Sequence, residues 1–319
     1  MSTFDFNNQS YALAPEENVL QCLLRHGVDY PNSCQVGVCQ SCLIKAKDGL
    51  IHSSWQEGIP ETLKSQGYFL ACLAKPDTAL QLIIPDSDEC EISAKILEVK
   101  RLNYNIVQVK LGVDNLEGWI PGQYLSLINF QGTTRSYSIA NLPLQESFIE
   151  LHIKVYPHGK MGQWLMNSAT KDTVVKLRGP FGRCFYYNPK QLAFDILLAG
   201  TGTGLAPLIA ILKSALSHNH QGLITLVHGG LTDEDIYYSE ELRRLSSVFS
   251  SFVYDPCVLQ TQGGCYPEAS IEKRIVMHLN NPKATHVYVC GPKETTNKLK
   301  KQVFLMGVPS QAILSDVFL

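Results

Sequence analysis

Four cysteines set the tightest limit on what this chain can fold into. Cys34, Cys39 and Cys42 form a C-x4-C-x2-C group, and Cys72 follows within the segment 68–74. This is the ligand spacing of a plant-type 2Fe-2S cluster. Four thiolates must converge on two ferric ions, so the stretch 34–42 is required to be a tight loop. Gly37 and its small neighbours allow backbone N–H groups to turn toward the sulfides, where such hydrogen bonds tune the potential. A zinc site would call for two C-x2-C pairs or histidines at knuckle spacing, and only one C-x2-C pair is present. Cys22, Cys90, Cys184, Cys257 and Cys265 share no such spacing and read as buried small hydrophobes or surface thiols. Ten cysteines in a chain whose polar first residues lack the pattern of a signal peptide point away from disulfides and toward the cytoplasm. The stretch 15–25 reads as a short helix with Glu16 and Glu17 in its first turn, packed on the sheet that carries the cysteine loop.

A chain of 319 residues exceeds one ordinary hydrophobic core, so two or three domains are expected. A net charge of −2 with no long Lys/Arg run excludes nucleic acid as the main partner. No run of about 18 apolar residues is present to insert in a membrane. The acidic stretch 86–90, with Asp86, Asp88 and Glu89, reads as a solvated hinge that ends a first domain at 1–85. Short apolar or alternating runs at 92–97, 106–111, 124–129, 148–155 and 173–177 lie between Gly, Pro and Asn turns and predict a small antiparallel β-barrel over 91–191. From 192 to 319, apolar strands at 196–198, 223–228 and 286–289 alternate with helical stretches at 206–216, 239–245 and 294–306. That alternation predicts a parallel sheet with helical crossovers.

Chemistry-bearing motifs punctuate the second and third segments. Arg135, Ser136, Tyr137 and Ser138 end a strand, which alone means little. After them, Gly159, Lys160, Met161 and Gly162 form a turn running into a helix, the form taken by a site where backbone N–H groups and a helix dipole face a pyrophosphate. Arg178 to Gly182 then closes the segment with Gly, Pro and Gly. In the third segment, Gly200, Thr201, Gly202, Thr203 and Gly204 follow an apolar strand and precede a helix starting near Pro207, the context in which glycines let backbone approach a dinucleotide. Cys290, Gly291 and Pro292 lie at the carboxyl end of a further strand, where open parallel sheets bind ligands. Cys290 on its own reads equally as an inert buried thiol.

With these motifs in this order, nearly the whole chain resembles the ferredoxin reductase superfamily. The resemblance is to NADH-dependent oxygenase reductase components with an N-terminal plant-type 2Fe-2S ferredoxin domain, of the benzoate dioxygenase and methane monooxygenase reductase type. It implies an α+β and α/β multidomain fold: a β-grasp ferredoxin domain, an antiparallel β-barrel FAD domain and a parallel-sheet, Rossmann-like NAD domain. It implies Cys34, Cys39, Cys42 and Cys72 as cluster ligands. Arg135 would pair with the flavin pyrophosphate, Tyr137 lie on the isoalloxazine and Ser138 reach toward N5, with His152 among the cofactor-binding residues. Gly159 to Gly162 resembles the phosphate turn, with Gly162 where the family often has Ser or Thr. Gly200 to Gly204 would hold the dinucleotide, and Cys290, Gly291 and Pro292 place the nicotinamide. Asp316 and Phe318 resemble the family's C-terminal carboxylate and shielding ring, giving Ser138, Cys290, Asp316 and Phe318 as the catalytic set. Gln260 and Thr261 follow the strand 252–259 where NADPH-using members carry a Ser-Arg pair, which favours NADH. The implied activity is electron transfer from NADH through FAD and the cluster to an acceptor protein, an oxygenase component, by a protein that is monomeric. A reductase partner of a CDP-deoxysugar dehydrase shares this domain order. A non-enzymatic iron-sulfur redox sensor explains the cysteines but leaves the other motifs idle.

Overall fold

A computed structural model describes residues 2–28, 30–32, 34–37, 40–59, 61–83, 91–188, 193–261 and 263–318. By compactness the chain divides into two units. Residues 1–93, 126–136 and 174–179 make up the first, and the remainder the second.

The N-terminal sheet is built from β1 (Thr3–Phe6), β2 (Gln9–Ala12), β3 (Leu43–Asp48), β4 (Tyr68–Leu70) and β5 (Leu80–Ile83) in the order β2-β1-β5-β3-β4. β1 pairs antiparallel with β2 but parallel with β5, the mixed arrangement expected of a β-grasp sheet. Helix α1 (Val19–Arg25) buries Val19, Leu20, Cys22 and Leu23 in a core with Phe4, Ile44, Phe69 and Leu82. The helix begins later than the predicted 15–25, and no acidic residue occupies its first turn. Asn18 is the N-cap: its side chain accepts from the Gln21 N–H at 2.8 Å while the Gln21 side chain accepts from the Asn18 N–H at 3.1 Å. Such a reciprocal box satisfies two orphan amides and is worth about 1 kcal/mol. Glu16 and Glu17 lie before the cap and pair with Lys75 and Arg25 instead. A short helix, α2 (Glu61–Ser65), precedes β4.

The middle strands are β6 (Ile92–Arg101), β7 (Ile106–Val113), β8 (Tyr124–Ile128), β9 (Thr134–Ser138), β10 (Ile149–Lys154) and β11 (Val174–Phe181). The short helix α3 (Pro143–Glu146) lies between β9 and β10, and α4 (Lys160–Asn167) between β10 and β11. These strands form one sheet in the order β10-β7-β6-β11-β8-β9. β10 is tied to the residue after β9 by a bridge between Ile139 and Leu151, and Ala140 N–H donates to Glu150 O at 2.8 Å. The two ends of the strand order are thereby joined, closing the sheet into the expected barrel.

The third sheet is all parallel. Its strands β12 (Asp195–Thr201), β13 (Ile224–Gly230), β14 (Phe252–Val258), β15 (Thr285–Pro292) and β16 (Ile313–Phe318) lie in the order β14-β13-β12-β15-β16. The crossovers run through α5 (Leu205–Ser217), α6 (Ser239–Val248), α7 (Ile271–His278) and α8 (Lys293–Leu305). Helices α5 and α6 pack one core with Leu198, Leu226 and Tyr288, while α7 and α8 pack another with Leu197, Val227 and Val289. Strands covered on both faces have no solvent side, which is why residues 196–199 read as a continuous apolar run. The order reverses at β12, whose neighbours β13 and β15 lead away in opposite directions, so ligands are expected at the carboxyl ends of β12 and β15.

Candidate active site and cluster loop

In the first unit, residues 34–42 follow Tyr30, whose hydroxyl donates to Leu43 O at 2.8 Å. Gln35, Gly37 and Gln40 adopt φ of 53°, 82° and 54°. Alternation of left-handed and ordinary residues at Gln35, Val36 and Gly37 bends the chain sharply here. Val36 N–H already points at Cys34 Sγ, at 3.4 Å. The Gln40 side chain anchors the loop by donating to Gly58 O at 2.7 Å. Ala71 N–H donates to Cys42 O at 3.0 Å, tying the Cys72 segment to the loop. Cys42 and Cys72 are buried and Cys34 is half-buried; Cys39 lies outside the described residues. Among the described residues no three His, Cys, Asp or Glu side chains gather as a single-ion metal site. Cysteine thiols on a tight loop, with an amide already directed at one sulfur, fit the donor set of a 2Fe-2S cluster. Arg135 belongs to this unit: its Nη1 donates to Thr134 O at 2.7 Å and to Asn32 O at 3.5 Å.

In the second unit, parallel register aligns the residues that the resemblance implies as catalytic. Gly200 lies opposite Cys290, Cys290 opposite Asp316, and Pro292 opposite Phe318. Ser138 Oγ donates to Asp316 Oδ2 at 2.8 Å. Burial raises the Asp316 carboxyl above its ordinary value, with the Ser138 hydrogen bond opposing. Burial likewise pushes the Cys290 thiol well up, reinforced by Cys184. Cys184 Sγ lies 3.7 Å from Cys290 Sγ, so a cysteine without a sequence signal is the neighbour of one that has it. At neutral pH both groups in this row thus favour their protonated forms more than they would in water.

Both glycine turns expected to hold phosphates lead directly into helices. The N-cap of α4 is Gly159, and no side chain caps it. The 3₁₀ turn Gly202–Gly204 leads straight into α5, again without a side-chain cap. A helix start without a side-chain cap suits an anion, and the residues at both turns fit FAD and dinucleotide phosphates in that respect. Gly204 is obligatory for close approach: a Cβ there would run into the carbonyl of Cys290. A Cβ at Gly162 would lie 3.1 Å from Val155 Cα, which explains glycine where the family often has a hydroxyl residue. Met161 is buried, leaving its amide rather than its side chain for the turn.

The His152 side chain, expected among the cofactor-binding residues, is held by two neighbours. Its Nε2 meets Glu150 Oε1 at 2.8 Å and its Nδ1 meets the Tyr237 hydroxyl at 3.1 Å, with His152 only 2 % exposed. Both ring nitrogens are engaged within the protein, which leaves the backbone and ring edge of His152 for any cofactor contact. Beyond β14, Gln260 N–H donates to Leu231 O at 2.9 Å and Thr261 N–H to the Glu268 carboxylate at 3.4 Å. The nearby cations are engaged: Arg244 pairs with Glu241, and Arg243 stacks on Tyr266 at 5.3 Å.

Known families match all three segments. A 2Fe-2S iron-sulfur cluster binding domain matches residues 4–77, an oxidoreductase FAD-binding domain 93–186 and an oxidoreductase NAD-binding domain 198–301. The chain is 26% identical over 98% of its length, and 96% of the relative's, to the ferredoxin–NAD(P)(+) reductase component of a naphthalene 1,2-dioxygenase system from Pseudomonas putida. It is 28% identical to a 2-halobenzoate 1,2-dioxygenase electron transfer component from Burkholderia cepacia, covering 86% of this chain and 84% of that one. Among solved structures, the ferredoxin reductase in carbazole 1,9a-dioxygenase superposes with a TM-score of 0.68 at 22% identity, over 100% of this chain and 98% of the other. The three domain matches in one order, with relatives aligned over nearly the whole chain, identify it as a member of the ferredoxin reductase superfamily. It belongs to the group of FAD- and NAD-binding electron-transfer oxidoreductases that carry their own N-terminal 2Fe-2S domain.

Proposed function

We propose that this protein moves electrons from NADH through FAD and the 2Fe-2S cluster to the terminal component of an oxygenase. The observation that carries the reading is the row formed by Gly200, Cys290 and Asp316, with Ser138 Oγ bonded to Asp316 at 2.8 Å. Bound FAD supplies a group that exchanges two electrons with a hydride donor and one at a time with an iron-sulfur centre. The protein's part is positioning. The amides of the Gly159 to Gly162 turn would hold the flavin pyrophosphate, with Arg135 and Tyr137 as further flavin-binding residues. The amides of Gly200, Thr201, Gly202, Thr203 and Gly204 hold the dinucleotide, while Cys290, Gly291 and Pro292 set the nicotinamide. Ser138 and Asp316 hold a proton between them beside the reacting ring, and Phe318 excludes water until the nicotinamide arrives. Cys34, Cys39, Cys42 and Cys72 hold the cluster.

The chain works as three domains, 1–85, 91–191 and 192–319. Support for NADH over NADPH comes from the Glu268 carboxylate at Thr261 and from the pairing of Arg244 with Glu241. The oxygenase acceptor is supported by relatives that serve dioxygenase systems at 26% and 28% identity. No helix among the described residues is long and apolar enough to cross a membrane; we place the protein in the cytoplasm as a monomer. The test is an anaerobic titration of purified protein with NADH, and separately NADPH, followed by visible absorption. Bleaching of flavin and cluster bands by a few equivalents of NADH is expected. A colourless zinc protein, or one that bleaches only with NADPH, overturns the reading or its coenzyme.

A further inference from the structure

The hydroxyls of Ser41, Ser126 and Ser136 form a closed triangle within the first unit. Ser41 Oγ lies 3.0 Å from Ser136 Oγ and 3.2 Å from Ser126 Oγ, and Ser126 and Ser136 are 3.2 Å apart. Ser41 and Ser126 are each 0 % exposed. A buried hydroxyl is costly unless bonded. Each serine offers one donor hydrogen and accepts readily, so three in a ring satisfy one another by each donating to the next. Three alanines would fill such a space without any polar demand. The hydroxyls add direction: they fix one register where apolar contact would allow several.

What the triangle joins gives it meaning. Ser41 immediately precedes the cluster ligand Cys42, and Ser136 stands between Arg135 and Tyr137 in the flavin motif. The other end of the cysteine loop is held by the same strand, since Arg135 Nη1 reaches Asn32 O, two residues before Cys34, at 3.5 Å. Adjacent residues of β9 thus hold both ends of the loop that carries Cys34 and Cys42. We propose that the Ser41–Ser126–Ser136 triangle is a positioning device that locks the cluster loop onto the flavin-motif strand and so sets the rate at which single electrons pass from flavin to cluster. This rests on the electron-transfer function proposed above, and none of the three serines contacts a cofactor phosphate or ligates iron in that reading.

The experiment is anaerobic stopped-flow mixing of the holoprotein with NADH, resolving the bleaching of flavin from that of the cluster. In Ser126→Ala/Ser136→Ala the flavin phase keeps its rate. The cluster phase slows by about tenfold or more, the size of effect a small misplacement of reacting groups produces. Ser136→Thr, which keeps the hydroxyl, restores it. Iron content and the low-temperature spectrum of the reduced cluster stay those of the wild type. An unchanged cluster phase with both cofactors in place overturns the proposal, as does equal slowing of both phases. Should the double variant lose its cluster, the single Ser136→Ala variant decides by the same two rates. If wild-type flavin is not bleached by NADH at all, the functional reading fails, and the triangle is a structural tie alone.

Discussion

Acidification should unlock the nucleotide-binding sheet through one side chain, His228. It is 0 % exposed, on β13, with Nδ1 3.0 Å from the Tyr254 hydroxyl. Its Nε2 has no hydrogen-bond partner among the described residues. Burial lowers its pKa from 6.5 to about 3, against a smaller upward pull from Asp235. The folded state therefore keeps the ring neutral, while the unfolded chain takes up a proton as the pH drops below 6.5. Stability from this group is fully present above 6.5 and is lost progressively as the pH falls toward about 3. Each pH unit in that window costs about 1.4 kcal/mol, so acidifying to two units below the unfolded pKa costs about 2.7 kcal/mol. This is a large share of the ~5–15 kcal/mol that stabilises a typical domain. The assay is urea unfolding followed by ellipticity across this range, for wild type and His228→Asn. Asparagine keeps a polar partner for the Tyr254 hydroxyl and removes the titration. The variant, less stable at neutral pH, should gain on the wild type by about 2.7 kcal/mol over those two units. Parallel curves would refute the argument, because they would mean that the ring is hydrated or already charged in the folded protein.

Other substitutions test the site piece by piece. Gly204→Ala drives a Cβ into the Cys290 carbonyl and should destabilise the sheet by about 1–3 kcal/mol, with weakened NADH binding measured by titration. Ser138→Ala removes the donor to Asp316 and should slow flavin reduction by about a hundredfold, read by stopped flow, with little change in flavin content. Cys72→Ser should abolish the cluster absorption and iron content while NADH still bleaches the flavin. Glu17 is held down to about 2 by the Arg25 guanidinium, so its contribution is present above its ordinary range and lost as the pH falls toward 2. Because Arg25 is 46% exposed, Glu17→Gln should cost no more than about 1 kcal/mol in a urea melt at neutral pH.

Local chemistry was legible in the sequence where the spacing itself encodes it. Ligand cysteines must crowd one loop, and phosphate turns must start a helix, so both are visible in a few consecutive residues. The helix start was misread because Glu16 and Glu17 are good first-turn residues, whereas the capping box of Asn18 and Gln21 decides where the turn begins. Contacts between remote positions left no such trace. Cys184 meets Cys290 across 106 residues, and its flanking sequence says nothing of it. His152 has a composition compatible with a ligand site, yet Glu150 two residues away claims Nε2 and Tyr237 claims Nδ1. The serine triangle is likewise invisible until the loop and two strands are folded together. Gly162 stood out as a departure from family pattern, and the approach of Val155 supplies the reason.

The placement of Asp316 and Phe318 on β16 bears on how often the site is open. β16 stands at the end of the strand order and, among the described residues, is paired only with β15. A strand hydrogen-bonded on one side opens with less free energy than one paired on both, and such local opening proceeds without global unfolding. Amides on residues 313–318 should therefore exchange with deuterium faster than those of β12, which is paired on both sides. Each such excursion carries the carboxylate and the shielding ring away together. With the roles proposed for Asp316 and Phe318, proton holding and cover of the nicotinamide site would share one breathing motion, so a substitution that stiffens this edge would be felt in coenzyme exchange as well as in chemistry.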